Sequence, residues 1–214
     1  MKGSRRIAAV LMGDPFLGPQ NFPYLDKMLT VVKMTPQHTY IFLTRRSAMA
    51  GLYFRRKYVR NVIGFPLPNL WLGVSAEDEN SLKKRAPGIL EIGAAVTFLS
   101  LEPTLGDVPS LPIYLQGEQK FDLVIMGGQK GIGVDPLPIM IPRYVRDACV
   151  KYGVKFHFKQ WGSYLPEVEY IERFGPGKRA KRVKFGDEFF YRMSAEKAGR
   201  TLDGREWLEL PEVS

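Results

Sequence analysis

Short apolar runs recur along this chain at nearly constant intervals, and each run has the length of a β-strand. Six of them begin 32, 31, 26, 27 and 31 residues apart, at residues 7–12, 39–44, 70–75, 96–101, 123–127 and 154–158. Such intervals fit strand–loop–helix–loop units and exclude a sheet of hairpins, in which strands recur every ~8–12 residues. Runs such as TYIFLT and LVIMGG are apolar on both faces, which is typical of buried parallel strands.

The segments between these runs have a helical period. Residues 21–34 and 142–152 place apolar side chains every three to four positions, which indicates amphipathic helices. A third segment, 81–92, contains Pro87-Gly88, so we expect its helix to be short or broken. The pattern predicts an α/β fold in residues 1–165, a partial (β/α) barrel of the TIM type with about six parallel strands.

Residues 166–184 are rich in Gly, Pro and charge, and over residues 166–214 we expect an irregular, basic C-terminal arm and tail that pack on the barrel. A weak strand pair is predicted within 183–193, and a turn at Asp203-Gly204. A barrel with strands missing exposes two sheet edges. We therefore expect the edges to be covered by the arm, by self-association with a second copy or by a partner chain.

Polar residues and glycines follow several of the strands, at the edge where α/β sheets and barrels bind their ligands. The expected cofactor-binding residues are Asp14, Ser75, Glu102, Gly127, Gly128, Gln129, Lys130, Lys159, Gln160 and Trp161. In an alternating strand His157, Lys159 and Trp161 share one face, which would set a lysine beside an aromatic ring at the barrel mouth. No catalytic residue can be assigned.

Several of these residues also have a plainer interpretation. The Gly127-Gly128 pair lacks Walker and Rossmann spacing and could form only a tight turn. Asp14 precedes a proline and could simply start a turn, Glu102 could be an ordinary loop residue, and Trp161 could pack on the tail. Asp78 is expected to cap a helix rather than to form an acid–base pair with its neighbour.

The formal net charge is +9, and the basic residues are clustered. Residues 27–76 contain no acid, and a second basic cluster spans 177–184. Clustered Lys and Arg favour a polyanionic partner such as nucleic acid, although a solvated basic surface is the alternative. The candidate nucleic-acid contacts are Arg45, Arg46, Arg55, Arg56, Lys57, Arg60, Lys178, Arg179, Lys181 and Arg182.

The sparse cysteines and histidines exclude several kinds of site. One cysteine, Cys149, permits neither an internal disulfide nor an iron–sulfur cluster held by this chain alone, and we expect it to be a core residue. The two histidines, His38 and His157, are too few for a predicted metal site. No apolar run reaches the ~20 residues of a membrane span, and a cytoplasmic location is expected.

Seven motifs in collinear order resemble a phage-associated family of unknown function that looks like a radical-SAM family and carries a three-cysteine motif. They are GDPFLG, TPQHTYIFLTRR, LPNLWLGVSAEDE, FLSLEPTLG, LVIMGGQKGIGVDPL, FHFKQWG and KAGRTLDGREWLELP. The resemblance implies a (β/α) barrel whose first strands hold a four-iron cluster, with S-adenosylmethionine across the strand ends. It also implies that roughly the first quarter of a typical member, with its three cysteines, is absent here.

The glycine loop departs from the family as well, because Gln129-Lys130 stands where members usually read Glu-Ser. Two explanations of the missing cysteines stay open. Either a cysteine-bearing partner chain supplies them, which makes this the larger part of a split enzyme, or the chain is a degenerate binding protein. In both cases S-adenosylmethionine is the expected cofactor, and the isolated chain is not a self-sufficient radical-SAM enzyme. The alternative function is that of a nucleic-acid-binding accessory protein.

Overall fold

The computed structural model describes residues 3–9, 13–176 and 180–212 of the 214-residue chain. Six parallel strands form one sheet in which spatial order follows chain order, and this sheet curls into a half-barrel. The strands are β1 (Arg6–Ala9), β2 (Thr39–Thr44), β3 (Leu70–Ser75), β4 (Val96–Leu101), β5 (Leu123–Gly127) and β6 (Lys155–Gln160). The predicted partial (β/α) barrel is thereby confirmed; residues 10–12 of the first predicted strand lie outside the described residues.

Helices pack on the convex face of the sheet. They are α1 (Phe22–Met34), α2 (Ser47–Phe54), α3 (Glu79–Leu90) and α4 (Met140–Lys151). A π-helical segment (Tyr58–Ile63) follows α2, and 3-10 turns lie at Pro19–Asn21 and Leu111–Tyr114. Alternate strand residues such as Phe42, Leu72 and Val124 join the buried helix residues in one large core. No helix in the described ranges is long and apolar enough to cross a membrane.

Helix α3 runs through Pro87, so the expectation of a short or broken helix is wrong. A proline inside a helix costs about 3 kcal/mol because it loses one N–H and crowds the preceding turn. Pro87 lies in the last turn of α3, which limits the disruption, and Leu82 and Ile89 are fully buried beside it. Gly88 lets α2 approach closely, since a Cβ there would lie 3.1 Å from Ser47 Oγ.

The start of α3 is a capping box. Asp78 Oδ1 accepts a hydrogen bond from Ser81 N at 2.8 Å, and Ser81 Oγ accepts one from Asp78 N at 3.0 Å. The hydrogen bonds from Ser81 lower the pKa of Asp78. The predicted helix cap is therefore confirmed.

The C-terminal arm forms a small layer against the half-barrel. It contains β7 (Tyr164–Pro166), α5 (Glu167–Phe174), β8 (Lys181–Phe185), β9 (Glu188–Arg192), α6 (Ala195–Ala198), β10 (Thr201–Leu202) and β11 (Arg205–Glu206). Strands β8 and β9 form the predicted pair, and Asp203-Gly204 forms the predicted turn with φ angles of 52° and 71°.

The tail covers one edge of the main sheet. Phe158 N donates to Trp207 O at 2.8 Å, and Glu209 N donates to Phe156 O at 3.2 Å. These bonds pair the tail with the outer side of β6, so the arm is the cover at this edge. Within the described residues no strand pairs with the outer side of β1.

A buried carboxylate anchors the turn of the β10–β11 hairpin. Glu169 is 1% exposed, and its Oε1 accepts from Asp203 N at 2.7 Å. Its Oε2 has no hydrogen-bond partner among the described residues. Burial, together with the charges of Glu172 and Asp203, raises the pKa of Glu169.

We expect Asp78→Ala to lower the free energy of unfolding by about 1 kcal/mol, because it removes the cap of α3. Urea unfolding followed by circular dichroism measures the change. Asp107→Ala, at an exposed loop position, is the matched control. An Asp78→Ala variant as stable as this control would contradict the structural role of the cap.

Glu169→Gln should stabilise the protein increasingly as pH rises from about 4 to about 7. The pKa of Glu169 is higher in the folded protein than in the unfolded chain. Protonation of Glu169 therefore stabilises the wild type at a pH below the pKa of the unfolded chain. This stabilisation is lost as the carboxyl ionises with rising pH. Glutamine cannot ionise and keeps an oxygen for Asp203 N. Unfolding free energies over this pH range, with exposed Glu118→Gln as control, test this. Parallel pH profiles for the variant and the wild type would refute it.

Candidate functional site

A cavity of about 690 Å³ opens on the concave face of the half-barrel, toward the carboxyl ends of the strands. We call it the concave cavity. Its volume lies within the ~300–1,000 Å³ usual for small-molecule sites. It is lined by Ala8, Ala9, Gly13, Asp14, Ile41, Leu43, Thr44, Arg45, Ser75, Phe98, Ser100, Glu102, Ile125, His157, Lys159 and Leu210.

The floor of the concave cavity is apolar and aromatic. Phe98 is buried together with Trp71 and Leu123, and partly buried Ile41 and Ile125 pack against them. A Cβ at Gly73 would lie only 2.2 Å from the Phe98 ring. Glycine in the middle of β3 therefore gives the phenylalanine ring its place on the sheet.

Glu102 and Lys159 form an ion pair at the rim. Lys159 Nζ lies 2.8 Å from Glu102 Oε2, and Gln160 Nε2 donates to Glu102 Oε1 at 3.3 Å. The Lys159 side chain is 52% exposed and that of Glu102 is 21% exposed. The two charges thus face the cavity mouth while remaining accessible to a ligand.

Asp14 lies at the opposite side of the rim and is held by backbone and hydroxyl donors. Its carboxylate accepts from Thr44 Oγ1 at 2.7 Å, from Phe16 N at 2.9 Å and from Arg45 N at 2.9 Å. These bonds tie the loop after β1 to the end of β2. Asp14 lines the cavity, but most of its hydrogen-bonding capacity is used within the protein.

A chain of charges runs outward from the rim. Arg45 Nη2 lies 2.7 Å from Glu77 Oε1, and Glu77 Oε2 lies 2.9 Å from Arg85 Nη1. Arg85 also donates to Ser75 O at 2.7 Å. Ser75, which is 5% exposed, lines the cavity directly below this chain. Arg45 is therefore positioned by Glu77 instead of being free in solvent.

Gly128, after β5, and Gly162, after β6, allow two backbone loops to pack closely against each other. Gly128 N donates to Gln160 O at 2.9 Å, and a Cβ at Gly128 would lie 2.1 Å from Trp161 O. Gly162 has φ 87°, and a Cβ there would lie 2.0 Å from Gln129 O. This contact accounts for glycine at position 128 without a ligand, although the backbone forms no turn at Gly127-Gly128. Gln129 and Lys130 line a neighbouring pocket of about 260 Å³, which shares Glu102 with the concave cavity.

Trp161 does not share a face with Lys159, so that expectation is wrong. The pairing of β5 with β6 shifts between Met126 and Gly127, which pair with Phe158 and Gln160. Lys159 is thus the extra residue of a bulge, and a bulge breaks the alternation of side chains. Trp161 is 1% exposed, packs on Phe158 and donates through Nε1 to Thr201 O at 2.7 Å.

A neutral histidine lines the wall between floor and rim. Burial lowers the pKa of His157, and the charges of Arg200 and Lys159 lower it further. Its buried Nδ1 has no hydrogen-bond partner among the described residues. An uncharged imidazole can offer a ligand one donor or one acceptor.

The residues present do not fit an iron–sulfur cluster. Cys149 is buried in α4, and burial raises the pKa of its thiol to about 12. Thiolates are the usual ligands of such clusters. Nor does the described part of the chain contain a group of three His, Cys, Asp or Glu side chains that could hold a metal ion.

The candidate nucleic-acid residues follow several different elements, and some of the described ones are held by contacts within the protein. Arg45 and Arg46 follow β2 at the cavity mouth, whereas Arg55 to Arg60 follow α2, which leads away from that end. Arg56 pairs with Asp26 at 2.9 Å, and Arg60 donates to the carbonyls of Phe54 and Ile92.

In the arm, Arg182 pairs with Glu167 at 2.7 Å, and Lys178 and Arg179 lie outside the described residues. The exposed members of the set are Arg45, Arg46, Arg55, Lys57, Lys181 and Arg182. Nucleic-acid binding by the whole set stays a prediction.

Sequence reasoning missed the cavity floor and the rim partner Arg85. The sequence predicts Phe98 and Ile125 in buried strands, but the apolar pattern of these strands does not distinguish the concave face of the sheet from the convex one. The glycine within LWLGVS was the available signal, since a glycine inside a strand often marks a close approach. Arg85 lies on α3, 40 residues from Arg45, and no spacing rule connects them.

Comparison with known proteins gives one match. Residues 1–211 match a family described as "Protein of unknown function (DUF5131)". No curated protein and no solved structure matches the chain. Because the match covers nearly every residue, this chain belongs to the DUF5131 family of proteins of unknown function.

Proposed function

We propose that the concave cavity binds an adenosine-containing zwitterion, with S-adenosylmethionine as the ligand to test first. The observation that carries the proposal is the combination of an apolar aromatic floor with a charge-balanced rim in one cavity of about 690 Å³. A purine is a flat apolar ring that packs well against aromatic and branched side chains. Phe98, Ile41 and Ile125 supply such a surface.

The rim supports a ligand that carries both charges. Two acidic residues, Asp14 and Glu102, and two basic residues, Arg45 and Lys159, line the cavity. Lys159 can pair with a carboxylate and Glu102 with an ammonium, because each is partly exposed and their mutual ion pair can be exchanged. A site with only one sign of charge would favour a simple anion or cation instead.

This proposal is consistent with descent from a radical-SAM-like barrel that no longer holds its own cluster. The residues of this chain would hold and orient the ligand only. In a split enzyme a partner chain would supply the cysteines, whereas a degenerate binding protein would use the concave cavity without a cluster.

Isothermal titration of the full chain with S-adenosylmethionine should show binding that Glu102→Gln and Lys159→Gln each weaken by about tenfold, the effect of one lost charge-assisted contact of about 1.4 kcal/mol. Lys155→Gln is the matched control, because it removes the same charge from an exposed position of β6 outside the cavity. Absence of binding by the wild type at millimolar ligand would overturn the proposal, as would equal weakening by the control.

Anaerobic incubation of the chain with iron and sulfide should give no iron–sulfur absorption, since one buried thiol cannot hold a cluster. Cys149→Ser should behave like the wild type in the same assay. A stoichiometric cluster that disappears in Cys149→Ser would contradict this assignment.

A further inference from the structure

A second large pocket, of about 760 Å³, lies within the C-terminal arm and shares no lining residue with the concave cavity. We call it the arm pocket. It is bounded by α5, by the β8–β9 hairpin and by the segment that leads into α6. The residues that matter for its chemistry are Tyr170, Arg173, Lys181, Arg192, Glu196 and Lys197.

The arm pocket carries an excess of positive charge. Four cationic residues line it, against the single carboxylate of Glu196. Arg173 donates to the carbonyls of Ala198 and Lys197, which orient its guanidinium without neutralising it. In the part of the chain that the structure describes, the side chains of Lys181, Arg192 and Lys197 form no ion pair.

Lys181 and Arg192 lie directly opposite each other on β8 and β9. Cross-strand partners have Cβ atoms about 5 Å apart on one face of the sheet, and like charges in this position destabilise the pairing. Two other arginines of the arm each have a carboxylate partner, since Arg182 pairs with Glu167 and Arg200 pairs with Glu206. An anion between Lys181 and Arg192 would remove the repulsion.

We propose that the arm pocket binds a nucleoside phosphate, with the phosphate between Lys181 and Arg192. A guanidinium fork and an ammonium are the side chains best suited to a phosphate. The pocket is larger than a phosphate needs, and its apolar wall, formed by Tyr170, Phe174, Ala180 and Met193, offers contact to a sugar and base. A free nucleotide and one unit of a single strand share this chemistry.

The test uses the full chain and three probes: inorganic phosphate, adenosine 5′-monophosphate and a short single-stranded DNA oligonucleotide. Titration calorimetry for the small probes and fluorescence anisotropy for the oligonucleotide are run at low and high salt. The variants are Lys181→Gln, Arg192→Gln and the double substitution. Lys184→Gln is the matched control, since it lies on β8 three positions from Lys181, on the opposite face, and does not line the pocket.

The double variant should bind at least one probe tenfold or more weakly, while Lys184→Gln changes binding less than twofold. A nucleotide preferred over phosphate indicates the free ligand, and tighter binding of the oligonucleotide with a steep salt dependence indicates a strand. The substitutions should not lower the melting temperature, because they remove a repulsive pair. No binding of any probe at millimolar concentration, or equal weakening by Lys184→Gln, would overturn the proposal.

Discussion

In an open parallel sheet, two apolar faces need to be covered and two edges carry unpaired backbone groups. Much of this fold covers those faces and edges. Within the described residues the six strands curl without closing. A closed barrel would fill its interior with side chains from all strands, but here the concave face needs another cover. The tail supplies it in part, through backbone bonds to β6 and through Leu210, which packs on the apolar floor. The arm is therefore required by the half-barrel on which it lies.

The same constraint produces the concave cavity. Phe98 fills the lower part of the concave face because Gly73 leaves room for its ring, and among the described residues no opposing strand fills the upper part. The polar residues that end the strands then meet above an apolar floor. At the rim, Glu102 pairs with Lys159 and Glu77 pairs with Arg45. The cavity thus follows from the shape of the sheet and from a few charge contacts.

Local sequence predicts several elements correctly, and it fails where contacts between distant residues decide the structure. The bounds of β2, β3, β4 and β5 agree with the apolar runs, because strands buried on both faces carry a continuous signal. Pro87 predicts a break in helix α3, but the helix continues through it because burial against the sheet outweighs the cost of the proline. The sequence predicts Trp161 on the same face as Lys159, which is wrong. The bulge at Lys159 arises from the pairing of β6 with β5, and no local sequence pattern indicates it.

The sequence by itself determined the number and type of the six strands of the main sheet, the cap at Asp78 and the presence of one cysteine, because these follow from local periodicity, short-range hydrogen bonds and composition. Tertiary structure alone decided which strand faces meet, where the Arg45–Glu77–Arg85 chain forms and why Gly128 is a glycine. It also brought Lys181 opposite Arg192. Such contacts join residues far apart in the chain, and their energies arise only when the packed elements bring those residues within contact distance.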